Sequence, residues 1–287
     1  MLFRRAKVLP ADAHKGINAW LLYLAMPAIS FKYLPHVQWS WSLLFPLAAP
    51  VIVFWGSWFY MRLYAAKANL TRATSAGLTL VAGMGNTSFL GFPMVAAFFA
   101  EKYVAVAVLC DQATFILLAT VGIGIAINAS QQKHASVMLF IKKIASFPAF
   151  WSCTLAIILP RYINISPLFP FFDKLAGTVA PLALFSIGLQ LHFTGYKTEI
   201  KRISLTLLYK LLIAPGIITL IAVFFHLHDT ITQVTIFEMA MPPLISASII
   251  AAEYDLDAEV TNLVIGIGLI IGIITASGWW FVLKLLC

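Results

Sequence analysis

The segment GMGNTSFLGFP, residues 83–93, interrupts an apolar run that extends over residues 73–100. Its three glycines, its proline and its three polar side chains break a helix at a depth where a bilayer offers no water. The N–H and C=O groups freed by such a break must be satisfied by protein or by a watery cavity. The segment therefore predicts a solute site inside a membrane protein.

Composition places the whole chain in the membrane class. Its 287 residues are 61% hydrophobic and only 10% charged, with a mean hydropathy of +0.93, whereas soluble domains carry about 25% charged residues. We predict one integral membrane domain, residues 1–287. The three cysteines, Cys110, Cys153 and Cys287, are too widely spaced to indicate a disulfide framework or a metal site. We therefore predict no metal and no cofactor.

The apolar runs predict an all-α polytopic protein, because a membrane helix needs roughly 20 apolar residues. The first repeat, residues 15–128, has four spans, and the second repeat, residues 147–285, has five. The linker at 129–146 contains an apolar stretch, 134–146, that predicts an interfacial helix. The nine predicted spans are 15–35, 41–62, 73–100, 103–128, 147–163, 171–192, 203–227, 230–253 and 258–284.

The basic residues predict the orientation of these spans. Most of the 19 Lys and Arg residues lie in the N-terminal segment and in alternate connections, and such connections face the cytoplasm. We therefore expect an inner-membrane protein with a cytoplasmic N-terminus and an outside C-terminus. Because the basic residues cluster in alternate connections, we attribute the net charge of +8 to orientation in the lipid bilayer, and we predict no nucleic acid partner.

The two halves of the chain resemble each other. LLFPLAAP at 43–50 matches LLYKLLIAP at 207–215, and the proline pair at 242–243 breaks the eighth span as residues 83–93 break the third. Because the third span runs outward and the eighth inward, the copies are inverted. Inverted repeats that each contain a broken helix are typical of secondary transporters.

Four motifs in order carry a resemblance to a known family: LLYLAMPA at 21–28, GNTSFLGFP at 85–93, PLALFSIG at 181–188 and AMPP at 240–243. The chain resembles the auxin efflux carrier family, including its bacterial malonate-transporter-like members. The resemblance implies ten spans in two inverted five-helix repeats with crossing broken helices, and transport of organic anions. It leaves a homodimer open.

The first half lacks a counterpart of the family's first span. Residues 1–5, MLFRR, resemble the end of such a helix. Two accounts stay open at this point: a true nine-span variant with repeats of four and five helices, or a start codon placed too far downstream.

The two breaks supply the candidate substrate-binding residues. Half-helix N-termini carry partial positive charge and free N–H groups that suit a carboxylate, and adjacent prolines remove two helix donors and free nearby carbonyls. The alternative is a packing kink whose polar groups satisfy their own backbone. The candidates are Gly85, Asn86, Thr87, Ser88, Met241, Pro242 and Pro243.

Two acidic residues and an amide are candidates for coupling to H+ or Na+. Asp111, Gln112 and Glu238 lie inside apolar runs, where charged residues usually face the bundle interior. At a rise of about 1.5 Å per residue, Asp111 and Glu238 lie in the same layer as Asn86. The alternative is a set of buried hydrogen-bonding partners. Lys210 is interpreted as a side chain that reaches the interface, with a role as partner to a carboxylate as the alternative.

The sequence favours a secondary carrier of small organic anions that works by alternating access. A sodium- or proton-coupled symporter of the bile-acid-carrier type is the alternative within transport. An intramembrane enzyme is disfavoured because the one acidic cluster, residues 253–259, has no basic partner set within the spans. A membrane sensor is disfavoured because no signalling domain is attached.

Overall fold

The computed structural model describes residues 10, 12–37, 40–130, 148–190 and 199–286. These residues form helices and no β-strand, which confirms the predicted all-α class. The predicted interfacial helix at 134–146 lies outside the described residues. The helices are α1 (residues 13–33), α2 (Leu44–Ala68), α3 (Arg72–Gly83), α4 (Thr87–Phe98), α5 (Glu101–Ala129), α6 (Pro148–Ile158), α7 (Ser166–Leu189), α8 (Ile200–Phe224), α9 (Thr230–Met239), α10 (Ser246–Glu253) and α11 (Ala258–Leu286).

Each predicted span has a helical counterpart, and the two spans that were expected to break are each divided in two. The third span consists of α3 and α4, and the eighth of α9 and α10. Five of the described helices, α2, α5, α7, α8 and α11, are long and apolar enough to cross a membrane by length and composition. The chain is therefore a multi-pass membrane protein.

Both broken spans begin with a capped helix. Helix α2 ends at Asn69, whose left-handed backbone (φ 49°) turns the chain, and Thr71 then accepts a hydrogen bond from the Thr74 N–H at 3.1 Å. In the second repeat, Asp229 accepts from the Thr232 N–H at 2.8 Å at the start of α9. Such caps satisfy backbone donors that a helix start leaves without partners.

Three of the four π turns in the described helices end two residues before a proline, at Pro27, Pro93 and Pro215. Proline has no N–H, and its ring collides with the carbonyl four residues earlier. A wider π turn accommodates both effects without ending the helix. The π turns are Leu21–Ala25, Thr87–Gly91, Leu118–Gly122 and Tyr209–Ile213.

The helices form two packed groups. Helix α1 packs against α6 and α7, while α2 packs against α3, α5, α8 and α9, and α11 packs against α3, α8 and α10. The C-terminal half of α3 and the break that follows it, residues 76–87, are buried throughout. The first break therefore lies inside protein, as the backbone argument requires.

Candidate functional site

The two breaks cross each other and exchange backbone hydrogen bonds. The Asn86 N–H donates to the Pro242 carbonyl at 2.7 Å, and the Leu244 N–H donates to the Met84 carbonyl at 3.0 Å. Gly85 and Pro243 form an antiparallel bridge at this point. Each break thus satisfies groups that the other has freed, and the antiparallel direction agrees with inverted repeats.

Asn86 is the cap of the half-helix that follows the first break. Its Oδ1 accepts a hydrogen bond from the Phe89 N–H at 3.2 Å, which fixes the direction of the amide. Its Nδ2 is buried and has no hydrogen-bond partner among the described residues. A buried donor without a partner is costly and uncommon, so this nitrogen is a candidate for binding an acceptor group.

Thr87 and Ser88 lie on the same turn and face α5. The Thr87 hydroxyl donates to Asp111 Oδ1 at 2.7 Å. This bond joins the polar residues of the first break to the carboxylate on the neighbouring helix. Sequence depth placed Asn86 and Asp111 in one layer, and the structure brings them to one site.

A cavity of about 90 Å³ lies beside the crossing. Its walls come from both packed groups of helices: from α1 on one side, and from the breaks, α4, α5 and α10 on the other. None of the lining residues is basic. The lining residues are Asn18, Leu22, Met26, Asn86, Ser88, Phe89, Asp111, Thr114, Phe115, Leu244, Ile245, Ser246 and Ile249.

The second break is apolar and lies behind this cavity. Met241, Pro242 and Pro243 are buried and are not among its lining residues, whereas the next residues, Leu244 to Ser246, are. A Cβ atom built on Gly272 of α11 would lie 2.6 Å from the Pro242 ring. The small residue at this position is therefore what lets α11 approach the break.

Glu238 occupies a closed position next to the first break. Its side chain is fully buried, and neither carboxylate oxygen has a hydrogen-bond partner among the described residues. A Cβ built on Gly91 would meet these oxygens at 2.5 and 2.6 Å. Asp111 opens on the cavity, whereas Glu238 is sealed off from it; Gln112 is buried and is not a lining residue.

The interpretation of Lys210 as a side chain that reaches the interface is wrong. Lys210 is 1% exposed, lies behind Gly85, and donates from Nζ to the Met239 carbonyl at 3.1 Å. It is within electrostatic reach of Glu238. The ammonium occupies the C-terminal end of α9, where the last carbonyls of a helix favour a cation.

Asn18 of α1 is a lining residue that sequence reasoning missed. Its Oδ1 accepts a hydrogen bond from the Ser186 hydroxyl of α7 at 2.5 Å, which leaves Nδ2 to donate elsewhere. An asparagine inside a predicted span could have marked Asn18 as a candidate, but no sequence pattern predicts that α1 lies next to the breaks. Among the described residues, no group of three His, Cys, Asp or Glu side chains is arranged to hold a metal ion.

Comparison with known proteins identifies the family of the chain. Residues 1–280 match the model of a family described as "Membrane transport protein". The chain belongs to the auxin efflux carrier family. The match extends over nearly the whole chain.

Relatives of this auxin efflux carrier family member are named as transporters. An "Uncharacterized transporter" of Methanothermobacter thermautotrophicus is 26% identical over 283 residues, which cover 96% of this chain and 91% of the relative. The "Uncharacterized transporter YfdV" of Escherichia coli K12 is 24% identical over 295 residues, which cover 98% of this chain and 92% of the relative. A "Putative malonate transporter" of Rhizobium meliloti is 24% identical over 287 residues, which cover 96% of this chain and 88% of the relative.

Proposed function

We propose that this chain is a secondary carrier that moves small organic anions by alternating access. The observation that carries the proposal is the buried Nδ2 of Asn86, a donor that has no partner among the described residues and lies at the wall of a small cavity beside the crossing. Ser88 lines the same wall, and we propose that its neighbours Gly85 and Thr87 position it, while the buried Met241, Pro242 and Pro243 hold the opposite break in place. The name of the Rhizobium meliloti relative supports a carboxylate as the substrate.

The chemistry of the cavity suits one carboxylate. Asn86 Nδ2 supplies a donor, and α4 begins at Thr87 with the partial positive charge of a helix N-terminus. Asn18 supplies a second amide from the other packed group of helices. A carboxylate placed between these groups would give the Asn86 donor the acceptor it lacks.

The position of the cavity suits alternating access. Its α1 wall belongs to the group formed by α1, α6 and α7, and its other walls belong to the group that contains both breaks. We propose that α2–α5 and α8–α11 move together against α1, α6 and α7. Sliding of the two groups would open the cavity to either membrane face in turn, as in other carriers with broken helices.

Asp111 and Glu238 are the proposed coupling carboxylates. Glu238 interacts electrostatically with both Asp111 and Lys210, and a buried carboxylate requires a neutralising charge. We propose H+ or Na+ as the coupling ion, with buried Gln112 as a neighbouring polar group. Stimulation by sodium would select Na+ over H+, and it would equally fit the alternative, a sodium-coupled symporter of the bile-acid-carrier type.

We further propose an inner-membrane location with a cytoplasmic N-terminus and an outside C-terminus, as the basic connections predict. The proposed role is transport without chemical conversion of the anion, so we propose that the chain is not an enzyme. Whether two copies form a homodimer stays a prediction.

Counterflow of labelled short-chain organic acids into proteoliposomes tests the proposal. Asn86→Ala removes a hydrogen bond to a charged group, which contributes about 1.5–3 kcal/mol, so we expect exchange at low substrate concentration to fall roughly 10- to 100-fold. Asn262→Ala, an exposed asparagine on α11, is the matched control. Wild-type exchange in a folded Asn86→Ala protein would contradict the proposed site.

A further inference from the structure

The charges around the cavity restrict the substrate beyond the class of organic anions. Among the described residues that line the cavity, Asp111 is the one ionisable side chain, and it is acidic. The described lining residues of α1, α4 and α10 are all neutral, and none of the lining residues is a lysine, arginine or histidine. Because an acidic side chain repels negative charge, we expect this cavity to accept anions of low charge.

The described surroundings of Asp111 add no free cation. Among the described residues, the titratable groups that interact with Asp111 are Cys110 of α5, Cys153 of α6 and Glu238 of α9, and none of them is a base. Lys210 of α8 is the buried cation at the crossing among the described residues, and its ammonium is bound to the Met239 carbonyl behind Gly85. It therefore offers no direct contact to a molecule in the cavity.

The hydrogen-bonding groups of the cavity divide into two kinds. Asn86 Nδ2 and the amide nitrogen of Asn18 are donors, which require an acceptor such as a carboxylate oxygen. The Asp111 carboxylate accepts from the hydroxyls of Thr87 and Ser88. A carboxylate has about four lone-pair sites, so the remaining ones can accept from a further donor. A substrate that satisfies both kinds of group therefore has a hydrogen-bond acceptor at the end that contacts Asn86 and Asn18, and a donor at the end that contacts Asp111.

We propose that the substrate is a short-chain acid with one ionised carboxylate and one O–H group, and that it binds as a single negative charge. The carboxylate accepts from Asn86 and Asn18, and the O–H donates to Asp111. A half-protonated dicarboxylic acid and a hydroxy acid both carry this chemistry. The inference rests on the proposed function, because it names the substrate class of the same site.

We expect a doubly charged acid to bind poorly beside Asp111. Its second carboxylate would have no O–H to donate and would face Asp111 as a like charge in a confined, partly desolvated space, where repulsion is strong. An acid with a plain methyl group in that position would offer no donor to the lone pairs of Asp111 that Thr87 and Ser88 leave open. Both mismatches are of the kind that binding sites discriminate well.

Three acids with the same three-carbon chain separate these cases in proteoliposome counterflow. They are 3-hydroxypropionate, malonate and propionate, each measured between about pH 5 and about pH 8, above the ordinary carboxyl pKa. We expect 3-hydroxypropionate to exchange about tenfold faster than propionate across the range. We expect malonate exchange to fall with rising pH in proportion to its singly ionised fraction. Since 3-hydroxypropionate keeps one charge throughout, it reports any titration of the protein itself.

Asp111→Asn sharpens the test, because an amide can both donate and accept and carries no charge. In this variant, we expect malonate to lose its pH dependence and the preference for 3-hydroxypropionate over propionate to shrink. Glu259→Gln, an exposed carboxylate on α11, is the matched control. If Asp111→Asn does not fold, the three acids on the wild-type protein decide the question alone.

The outcomes distinguish the inference from the proposed function. Malonate exchange that rises with pH, or propionate exchange as fast as that of 3-hydroxypropionate, would overturn the inference and leave an anion carrier. Failure of all three acids both to exchange and to raise the melting temperature of the purified protein would overturn the proposed function and the inference with it.

Discussion

The two broken spans share their layout and differ in their chemistry. Each begins with a side-chain cap, at Thr71 or Asp229, and each unwinds where it meets the other. The first break ends in Asn86, whose side-chain nitrogen lies beside a cavity and has no hydrogen-bond partner in the part of the chain that the structure describes. The second break is a proline pair packed against α11.

This difference indicates a division of roles between the repeats. A proline pair frees backbone groups and fixes the direction of the chain but contributes no side-chain donor. An asparagine contributes a donor and an acceptor. We infer that the first repeat recognises the substrate and that the second repeat holds the crossing in place, and the following changes test that division.

The largest effect is expected at Lys210, which supports the second break from behind. Lys210→Met removes the donor to the Met239 carbonyl and also removes the cation that interacts electrostatically with Glu238 among the described residues. A buried polar group left without its partner costs about 1–3 kcal/mol, and more where a charge is involved, so we expect a marked loss of melting temperature in detergent.

The double variant Lys210→Met with Glu238→Gln is the control for this loss, since it also removes the uncompensated charge. We expect it to recover most of the lost stability, measured as a double-mutant cycle. Wild-type stability in Lys210→Met alone would contradict the view that the ammonium neutralises this carboxylate.

The next effect is expected where the second break contacts α11. Gly272→Leu would drive a side chain into the Pro242 ring, and overpacking of this kind costs about 1–3 kcal/mol. Gly278→Leu on the same helix is the matched control, because no heavy atom lies within 4 Å of its built Cβ. Equal melting temperatures for the two variants would show that the second break does not depend on this contact.

The smallest effects are expected at the caps, which the two repeats have in common. Thr71→Ala and Asp229→Ala each remove a hydrogen bond to a helix N-terminus, at a cost of about 1 kcal/mol. We expect similar small losses of stability for both, with affinity for the transported acid unchanged. A loss of affinity confined to Asp229→Ala would assign recognition to the second repeat as well.

The sequence predicted the helices and their breaks better than it predicted the contacts between helices. Composition and run length predicted the helices, and Pro242 and residues 83–93 predicted the breaks, because backbone chemistry of this kind is local. The position of Lys210 was not predictable in this way, since depth along its own helix does not reveal that α9 ends beside it.

The same limit applies to the cavity. Depth arithmetic predicted that Asn86, Asp111 and Glu238 lie in one layer. In the structure Thr87, next to Asn86, donates a hydrogen bond to Asp111, while Glu238 is closed off from the cavity. Asn18 reaches the site from a helix that is distant along the chain, and Ser186 on α7 orients it. Only the packing of α1 against α7 brings these residues to the crossing, and that packing leaves no local pattern in the sequence.

A structure of the protein with a transported short-chain acid bound tests the central claim most directly. The account predicts density for the acid in the cavity beside the crossing, with a carboxylate oxygen about 3 Å from Asn86 Nδ2, within hydrogen-bond distance. Density at the wider, arginine-lined opening between α2, α3 and α5, where Arg62 and Arg72 lie, with an unchanged cavity at Asn86, would contradict it.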